Sequence, residues 1–271
     1  MVVYRVGANS TSSYKITPWL SYAAWTWEVL RRNDDYIGYY KSLRNKGFET
    51  RPLTKTTSLT IANQHYPTAN KFGLLAPADP TKLAGEQPVF WCPKAFDNVV
   101  RFHVIDPASV GRKNKPIQLS KMKGDKTHFL GANGTYHIRI LGERFWFQLL
   151  CDNVDFVDET AYLGFEINNL GGSDKRFETI KQIGGIYDGS IDMASRLHVP
   201  ASLQNHLKST LAYDIRTAGG SITDVINAFL EAGLVTIDPE KYVDFKDVAQ
   251  NAYRAGKAYI NGDYLKILNR Q

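Results

Sequence analysis

The chain has 271 residues, 43% of them hydrophobic and 22% charged, with a formal net charge of +6. This mix and length belong to a globular protein of one large domain or about two ordinary ones, able to fold without staples; a disordered tail and a fibrous repeat are excluded. No apolar run reaches the roughly 18 residues of a membrane span, no signal-peptide core follows Met1, and Cys92 and Cys151 form neither a metal pair nor a disulfide framework, so the chain reads as cytoplasmic with reduced thiols.

Residues 18–45 predict two helices. Pro18 suits a first turn, and Leu20, Ala23, Ala24, Trp27 and Leu30 recur at helical spacing. Asn33 reads as an N-cap, with Asp34 and Asp35 placed where the helix dipole favours acids. Tyr36, Ile37, Tyr40 and Leu43 continue the apolar spacing, and Gly47 ends it. Residues 48–85 are punctuated by Pro52, Pro67, Pro77 and Pro80 and read as irregular, with order hinted only at Leu59 to Ala62.

Residues 88–151 predict strands. Asn98 to Ile105 is β-branched and partly alternating, and Thr135–Leu141 and Arg144–Cys151 flank a Gly142-Glu143 turn as a hairpin. A small antiparallel sheet packed on one face follows. From about residue 158 the pattern is helical, first with a helix capped by Ser173 or Asp174 that ends at Gly184-Gly185. Leu203, Leu207, Leu211 and Ile215 then form one stripe, stopped by Gly219-Gly220. Ser221 and Asp224 make a capping-box-like pair before Ile222, Val225, Ile226, Phe229 and Leu230, and Gly233 closes that helix. Asp244 caps a third helix, Asn261-Gly262 turns the chain, and a last short helix runs from Asp263 to Leu268. The fold class is therefore α+β, in three segments: a helical and irregular module 1–85, an antiparallel β module 86–157 and a helical C-terminal domain 158–271.

The third helix of that domain is two-faced. Phe245, Val248, Ala249, Ala252, Gly256 and Tyr259 form a narrow apolar side of mostly small residues. Lys246, Gln250, Arg254 and Lys257 lie opposite, with Asn251 beside them. Lys, Arg, Gln and Asn are the side chains that reach phosphates and base edges. The layout suits the second helix of a helix-turn-helix, except that ten residues separate Gly233 from Asp244 where three or four are usual. An amphipathic helix in an ordinary bundle fits the same pattern.

The charge is uneven: +10 over residues 1–130, −4 over 131–200 and zero over 201–271. The densest basic run, Arg112, Lys113, Lys115, Lys121, Lys123 and Lys126, is opposed only by Asp125 and broken by Gly111, Pro116 and Gly124. It reads as a loop, either merely solvated or contacting phosphates. No HExxH, GxSxG, Walker or GxGxxG motif is present. His103 and His137 fall on predicted strands and read as structural. Asp152, Asp155, Asp158 and Glu159 crowd together without EF-hand spacing and read as a solvated acidic loop. Neither an enzyme nor a cofactor or metal site is expected.

Three blocks carry a family resemblance. Trp25-Thr26-Trp27-Glu28-Val29-Leu30-Arg31-Arg32-Asn33 followed by Tyr36 resembles the opening "W-E-[FVY]-L-R-R-N-x-x-Y" of bacterial transcriptional-regulator-like proteins. Pro88-Val89-Phe90-Trp91 is similar to their "A-P-V-F-W" signature. Val248, Ala252, Gly256-Lys257, Tyr259-Ile260, Asn261-Gly262, Tyr264 and Leu268 resemble their ending. The group is that of the RovC-type activators of type VI secretion genes. The resemblance implies a C-terminal helix-turn-helix with an extended turn, promoter DNA as partner, a homo-oligomer, hexameric in form, and a nucleoid-associated protein that also contacts RNA polymerase. With DNA as partner, the face of the third helix assigns DNA-binding roles to Lys246, Gln250, Asn251, Arg254 and Lys257, and the charge distribution assigns the non-specific part of the affinity to Lys113, Lys115, Lys121 and Lys123 of the basic loop. The chain departs from the Arg-rich third helix of many relatives. The competing expectation is an antiactivator-like regulator that sequesters a protein through its aromatic N-terminal helices and never touches DNA.

Overall fold

The computed structural model describes residues 21–43, 47–54, 57–109, 116–142, 145–152, 157–165, 175–191, 201–235 and 244–269. Its first helix, α1 (Tyr22–Leu30), has no wet side beyond its first residue: Ala23 through Leu30 are all buried. A helix apolar on every side must be enclosed, and this one is capped by Ser21, whose hydroxyl accepts from the Ala24 N–H at 3.3 Å. Asn33 then caps α2 (Asp34–Ser42) by accepting from the Tyr36 N–H at 2.8 Å. α2 stops at Ser42; Gly47, expected as its end, instead adopts a positive φ of 60° just before the first strand.

The chain forms two compact units. The first comprises Met1–Gly38, Pro80–Leu83 and Leu197–Gln271; the second comprises Tyr39–Asp79 and Ala84–Arg196. Segments 1–85 and 158–271 each contribute to both.

In the first unit α1 packs on α5 (Ala201–Thr217) and α8 (Tyr264–Leu268), while α5, α6 (Ile222–Glu231) and α7 (Phe245–Ala258) pack on one another. The ends of these helices follow local rules. Gly219 ends α5 at φ 92°, Gly233 follows α6 at φ 63°, and Ser221 and Asp224 close a full capping box. Leu207, Leu211 and Ile215 of the α5 stripe are buried; the Leu203 side chain lies outside the described residues.

The charged part of the opening motif is buried with the rest. Arg31 Nε meets Glu28 Oε2 at 2.6 Å, and Arg32 Nε meets both carboxylate oxygens of Asp214 on α5 at 3.0 Å. Arg32 also donates to the Glu28 carbonyl. Asn33 Nδ2 donates to the Ile260 carbonyl at 2.6 Å, just past α7. Two guanidinium groups thus face two carboxylates, and the cluster is neutral. Trp27 Nε1 and Arg31 Nη1 donate to the carbonyls of Lys82 and Pro80, which draws that short segment onto α1.

The second unit is built on an eight-stranded mixed sheet in the order β1-β2-β5-β6-β7-β3-β8-β4. In chain order the strands are β1 (Phe48–Pro52), β2 (Ser58–Ala62), β3 (Val99–Ile105), β4 (Ile117–Gln118), β5 (Asp125–Leu130), β6 (Thr135–Leu141), β7 (Trp146–Asp152) and β8 (Tyr162–Phe165). The β6–β7 hairpin is present, with Ile138 opposite Leu149.

Four expectations need correction. The sheet is neither small nor wholly antiparallel, because β2 pairs with β5 and β3 with β7 in parallel. It is not packed on one face only: Tyr136–Ile140 and Trp146–Cys151 are buried throughout. Such unbroken burial belongs to strands covered on both sides. The stretch after Gly47 is not irregular, since β1, β2 and a helical turn α3 (Pro67–Lys71) lie in it; β2 pairs with β1 in a local hairpin and with β5, far along the chain. Finally, β8 precedes any helix after residue 158, and α4 (Lys175–Asp188) runs through Gly184-Gly185 instead of stopping there. A Cβ on Gly185 would meet the Ile191 side chain, so that glycine serves close packing and not termination. The Ser173 or Asp174 cap, and Pro18 and Leu20 at the other end, lie outside the described residues.

One face of the sheet holds Ile138, Ile140, Phe147 and Leu149 beneath Ile183 and Ile186 of α4. The other carries buried polar groups. Arg139 donates to the carbonyls of Ala84 and Gln87 at 3.1 and 2.8 Å and lies 5.1 Å from the Trp146 ring centroid. Gln148 accepts the Trp91 N–H at 2.9 Å and donates to the Trp91 carbonyl at 2.6 Å, standing in for a strand partner. The segment containing Phe90 and Trp91 is held there against Phe129, with ring centroids 5.2 Å apart for Phe90 and Phe129. No helix among the described residues is long and apolar enough to cross a membrane.

Two measurements follow from the buried charges. Asp214→Ala leaves Arg32 enclosed without its carboxylate and is expected to lower stability by about 3–5 kcal/mol in denaturant titration. A paired Arg32→Met, Asp214→Leu variant should recover much of that loss, and a single substitution within about 0.5 kcal/mol of wild type would show that the pair is not buried in solution. Burial also pushes the imidazoles of His128 and His137 down, to about 4 and about 3. An unfolded imidazole titrates near 6.5, so below about pH 6.5 the unfolded chain takes up protons that the folded chain refuses. Stability present at pH 7 should therefore fall as pH is lowered toward 4, by roughly 1.4 kcal/mol per pH unit for each histidine. Thermal melts at pH 7 and pH 5, with His137→Gln reducing the slope, check this.

Candidate nucleic-acid interface

The helix α7 starts at Asp244, whose carboxylate accepts the N–H groups of Lys246 at 2.9 Å and Asp247 at 3.2 Å. Its inner face meets α5 so closely that side chains larger than hydrogen do not fit at one point. A Cβ on Gly256 would fall on the Ser209 carbonyl, 2.9 Å from its carbon and 3.1 Å from Tyr213 Cβ. Ala249 and Gly256 are buried. Beside them the rings of Tyr213 and Tyr253 stack at 6.5 Å, and the Arg216 guanidinium lies 5.7 Å from the Tyr253 centroid while donating to the Gly220 carbonyl at 2.6 Å. These contacts fix the rotation of α7 about its axis, and with it which side chains face outward.

The outward set is the one expected from the pattern. Lys246, Asn251, Arg254 and Lys257 are exposed and Gln250 is half-buried. At about 100° per residue, Lys246, Lys257, Gln250 and Arg254 share an arc of about 80°, and Asn251 lies about 60° beyond it. Among the described residues none of these five side chains makes a hydrogen bond or an ion pair. Arg31 and Arg32, just past the end of α1, are by contrast locked onto carboxylates. An exposed row of unpaired cations and amides offers donors to an anionic partner at low desolvation cost.

The basic loop is placed only in part. Lys121 ends a single 3-10 turn, Lys123 follows it, and both are exposed in the sheet unit. Lys126 turns inward, donates to the Met122 carbonyl at 2.6 Å, and is pushed down by burial. Lys113 and Lys115 lie outside the described residues, as do residues 236–243, most of the segment that would form an extended turn.

The remaining candidates are occupied in ways that the sequence left open. His128 Nδ1 lies 2.7 Å from the buried Tyr136 hydroxyl, and His137 packs against Phe90 and Phe129. His103 is exposed. Asp152 pairs with Arg101, Asp158 accepts from the Thr160 N–H at 2.7 Å, and Glu159 accepts from Thr57. The Thr160 hydroxyl, donating at 2.5 Å, and then its N–H hold the Asp158 carboxyl below its ordinary range. Asp155 lies outside the described residues. Among the described residues no three His, Cys, Asp or Glu side chains gather as metal ligands would.

Sequence reasoning passed over one outward residue. Asp247, the third residue of the helix that Asp244 caps, is exposed and projects about 20° from Arg254. Plotting the helix at 100° per residue would have found it.

Gly256→Ala tests the packing that aims this face. The added methyl has only backbone to displace, so α7 must shift; the expected cost is 1–3 kcal/mol, about that of overpacking a core, read as a lower melting temperature. Gly184→Ala, where a Cβ meets nothing within 4 Å, should leave the fold intact and serves as the control. The chain matches no protein-family model and no curated protein, so these side chains are interpreted from their geometry and chemistry.

Proposed function

We propose that the protein is a DNA-binding transcriptional activator of the RovC type, acting on bacterial type VI secretion or related gene clusters from promoter DNA as a homo-oligomer. The observation that carries the reading is the outward row of α7, with Lys246, Gln250, Arg254 and Lys257 exposed or half-exposed and unpaired among the described residues. In this reading α6 and α7 form the helix pair of an extended-turn helix-turn-helix. Lys246 and Gln250 lie in the N-terminal half of α7, the part such helices direct at base edges, and Arg254 and Lys257 grip phosphates further along. Asn251 reads adenine or bridges through water. Lys121 and Lys123, with Lys113 and Lys115, add sequence-independent attraction. Assembly into a hexamer would raise a weak single-module affinity through effective concentration, and RNA polymerase is the further partner of an activator.

The burial of α1 and of Tyr36 favours this reading over sequestration of a protein partner through those side chains, while Tyr39 and Tyr40 of α2 are half-buried. Trp25, Trp27 and Tyr36, the aromatic side chains such a partner would engage, are 0% exposed.

Arg254→Ala combined with Lys257→Ala is the direct test. Promoter binding in a gel shift should be lost at physiological salt, while circular dichroism and assembly size stay unchanged. The plot of log affinity against log salt should flatten by about 1.8, two phosphate contacts at about 0.9 each. Unchanged affinity in the double variant would sink the assignment. Failure of the wild-type chain to bind heparin or promoter DNA at low salt would hand the case to sequestration.

A further inference from the structure

Successive helices carry an acid at the same place and use it differently. Asp224 is the third residue of α6 and Asp247 the third of α7. Asp224 is engaged in the cap: its carboxylate accepts the Ser221 N–H at 2.7 Å and the Ser221 hydroxyl at 2.9 Å. In α7 the cap is made by Asp244 alone, which takes the N–H groups of both Lys246 and Asp247. The Asp247 carboxylate is left exposed, with no hydrogen bond or ion pair among the described residues. Stabilisation of the helix dipole is already supplied by Asp244, closer to the end.

Its position is costly for a surface that only binds phosphate. Asp247 projects between Arg254 and Asn251 on the outward face, where its charge offsets one of three cations. The other outward side chains are pure donors (Lys, Arg) or mixed amides, so Asp247 is the one pure acceptor among them. In the major groove the partner for a carboxylate is the exocyclic amine of cytosine, and Lys or Arg beside it suits the O6 and N7 of guanine.

We propose that Asp247 is a specificity-determining residue of the α7 face, accepting a hydrogen bond from a cytosine amine in the major groove and repelling phosphate wherever that amine is missing. The inference rests on the reading of α7 as a DNA-recognition helix. It assigns the face two functions: the cations hold the duplex, and the acid makes holding conditional on a C·G pair beside it. Replacing the carboxylate by an amide of the same shape removes both the obligate acceptor and the repulsion.

The test uses the full chain and a library of duplexes with a randomised centre, carried through selection and sequencing, for wild type, Asp247→Asn and Asp247→Ala. Wild type is expected to recover a motif with cytosine fixed at one position. Both variants should lose that preference, by about tenfold in relative affinity for cytosine over thymine at the position. Both should also bind a scrambled duplex more tightly than wild type does. Melting curves establish that the variants fold. If the variants select the same motif as wild type with the same affinity for the scrambled duplex, the role of Asp247 is overturned while the DNA reading stands. If wild type retains no duplex from the library at low salt, the DNA reading fails and the role of Asp247 with it.

Discussion

Arg32 Nε stands 3.0 Å from both carboxylate oxygens of Asp214, and neither partner reaches water. Desolvating a guanidinium and a carboxylate costs several kcal/mol each, and this close geometry, with one Nε–H shared between both oxygens and Glu28 beside it, offsets it. The pair therefore tolerates little displacement of α1 relative to α5. Glu28 and Arg31 neutralise the remaining charge in the same pocket, and Asn33 reaches from the cap of α2 to the carbonyl of Ile260. The first helix of the chain is thereby fixed to helices encoded far downstream. α7 inherits its place from that arrangement, because it rests on α5 at Ser209 and ends at the turn that Asn33 holds.

The sheet unit solves a related problem with different groups. Its middle strands are covered on both faces, so any polar side chain there must find a partner inside. Arg139 finds carbonyls and the face of Trp146; Gln148 takes both backbone groups of Trp91. Gln148 thereby adds to the single bridge that Trp91 makes with Leu74, and Arg139 holds the irregular backbone at Ala84 and Gln87. Burial pushes Arg139 down to about 10, still well above neutral pH, so the guanidinium stays charged while it holds Ala84 and Gln87.

The overall +6 pointed toward an anionic partner without locating it. Two arginines of the first 130 residues prove to be internal counter-ions, and Lys126 folds back on backbone carbonyls. The C-terminal 71 residues are neutral in sum, yet α7 segregates its cations onto one exposed face. Orientation relative to the core, more than net charge, decides which cations remain available to a partner.

Local rules were enough to read much of the helical part. The glycines after α5 and α6, the Ser221 and Asp224 capping box, the Asp244 cap and the two faces of α7 each depend on residues within a few positions of one another, as does the β6–β7 hairpin. What the chain could not disclose locally was decided by distant partners. The local β1–β2 hairpin joins the sheet only by setting β2 in parallel beside β5, Ser58 opposite Thr127, which no short-range pattern encodes. Arg31 and Arg32 look like surface charges until Asp214 arrives from α5 to justify burying them. Gly256 is legible in the sequence as part of a small-residue face, but only the Ser209 carbonyl beneath it makes it the point of closest approach. The sequence by itself determined where the local elements begin and end, since caps and turns are short-range hydrogen bonds. Only the tertiary structure decided which charges turn inward, because burying an ion becomes tolerable only once its counter-ion is brought beside it.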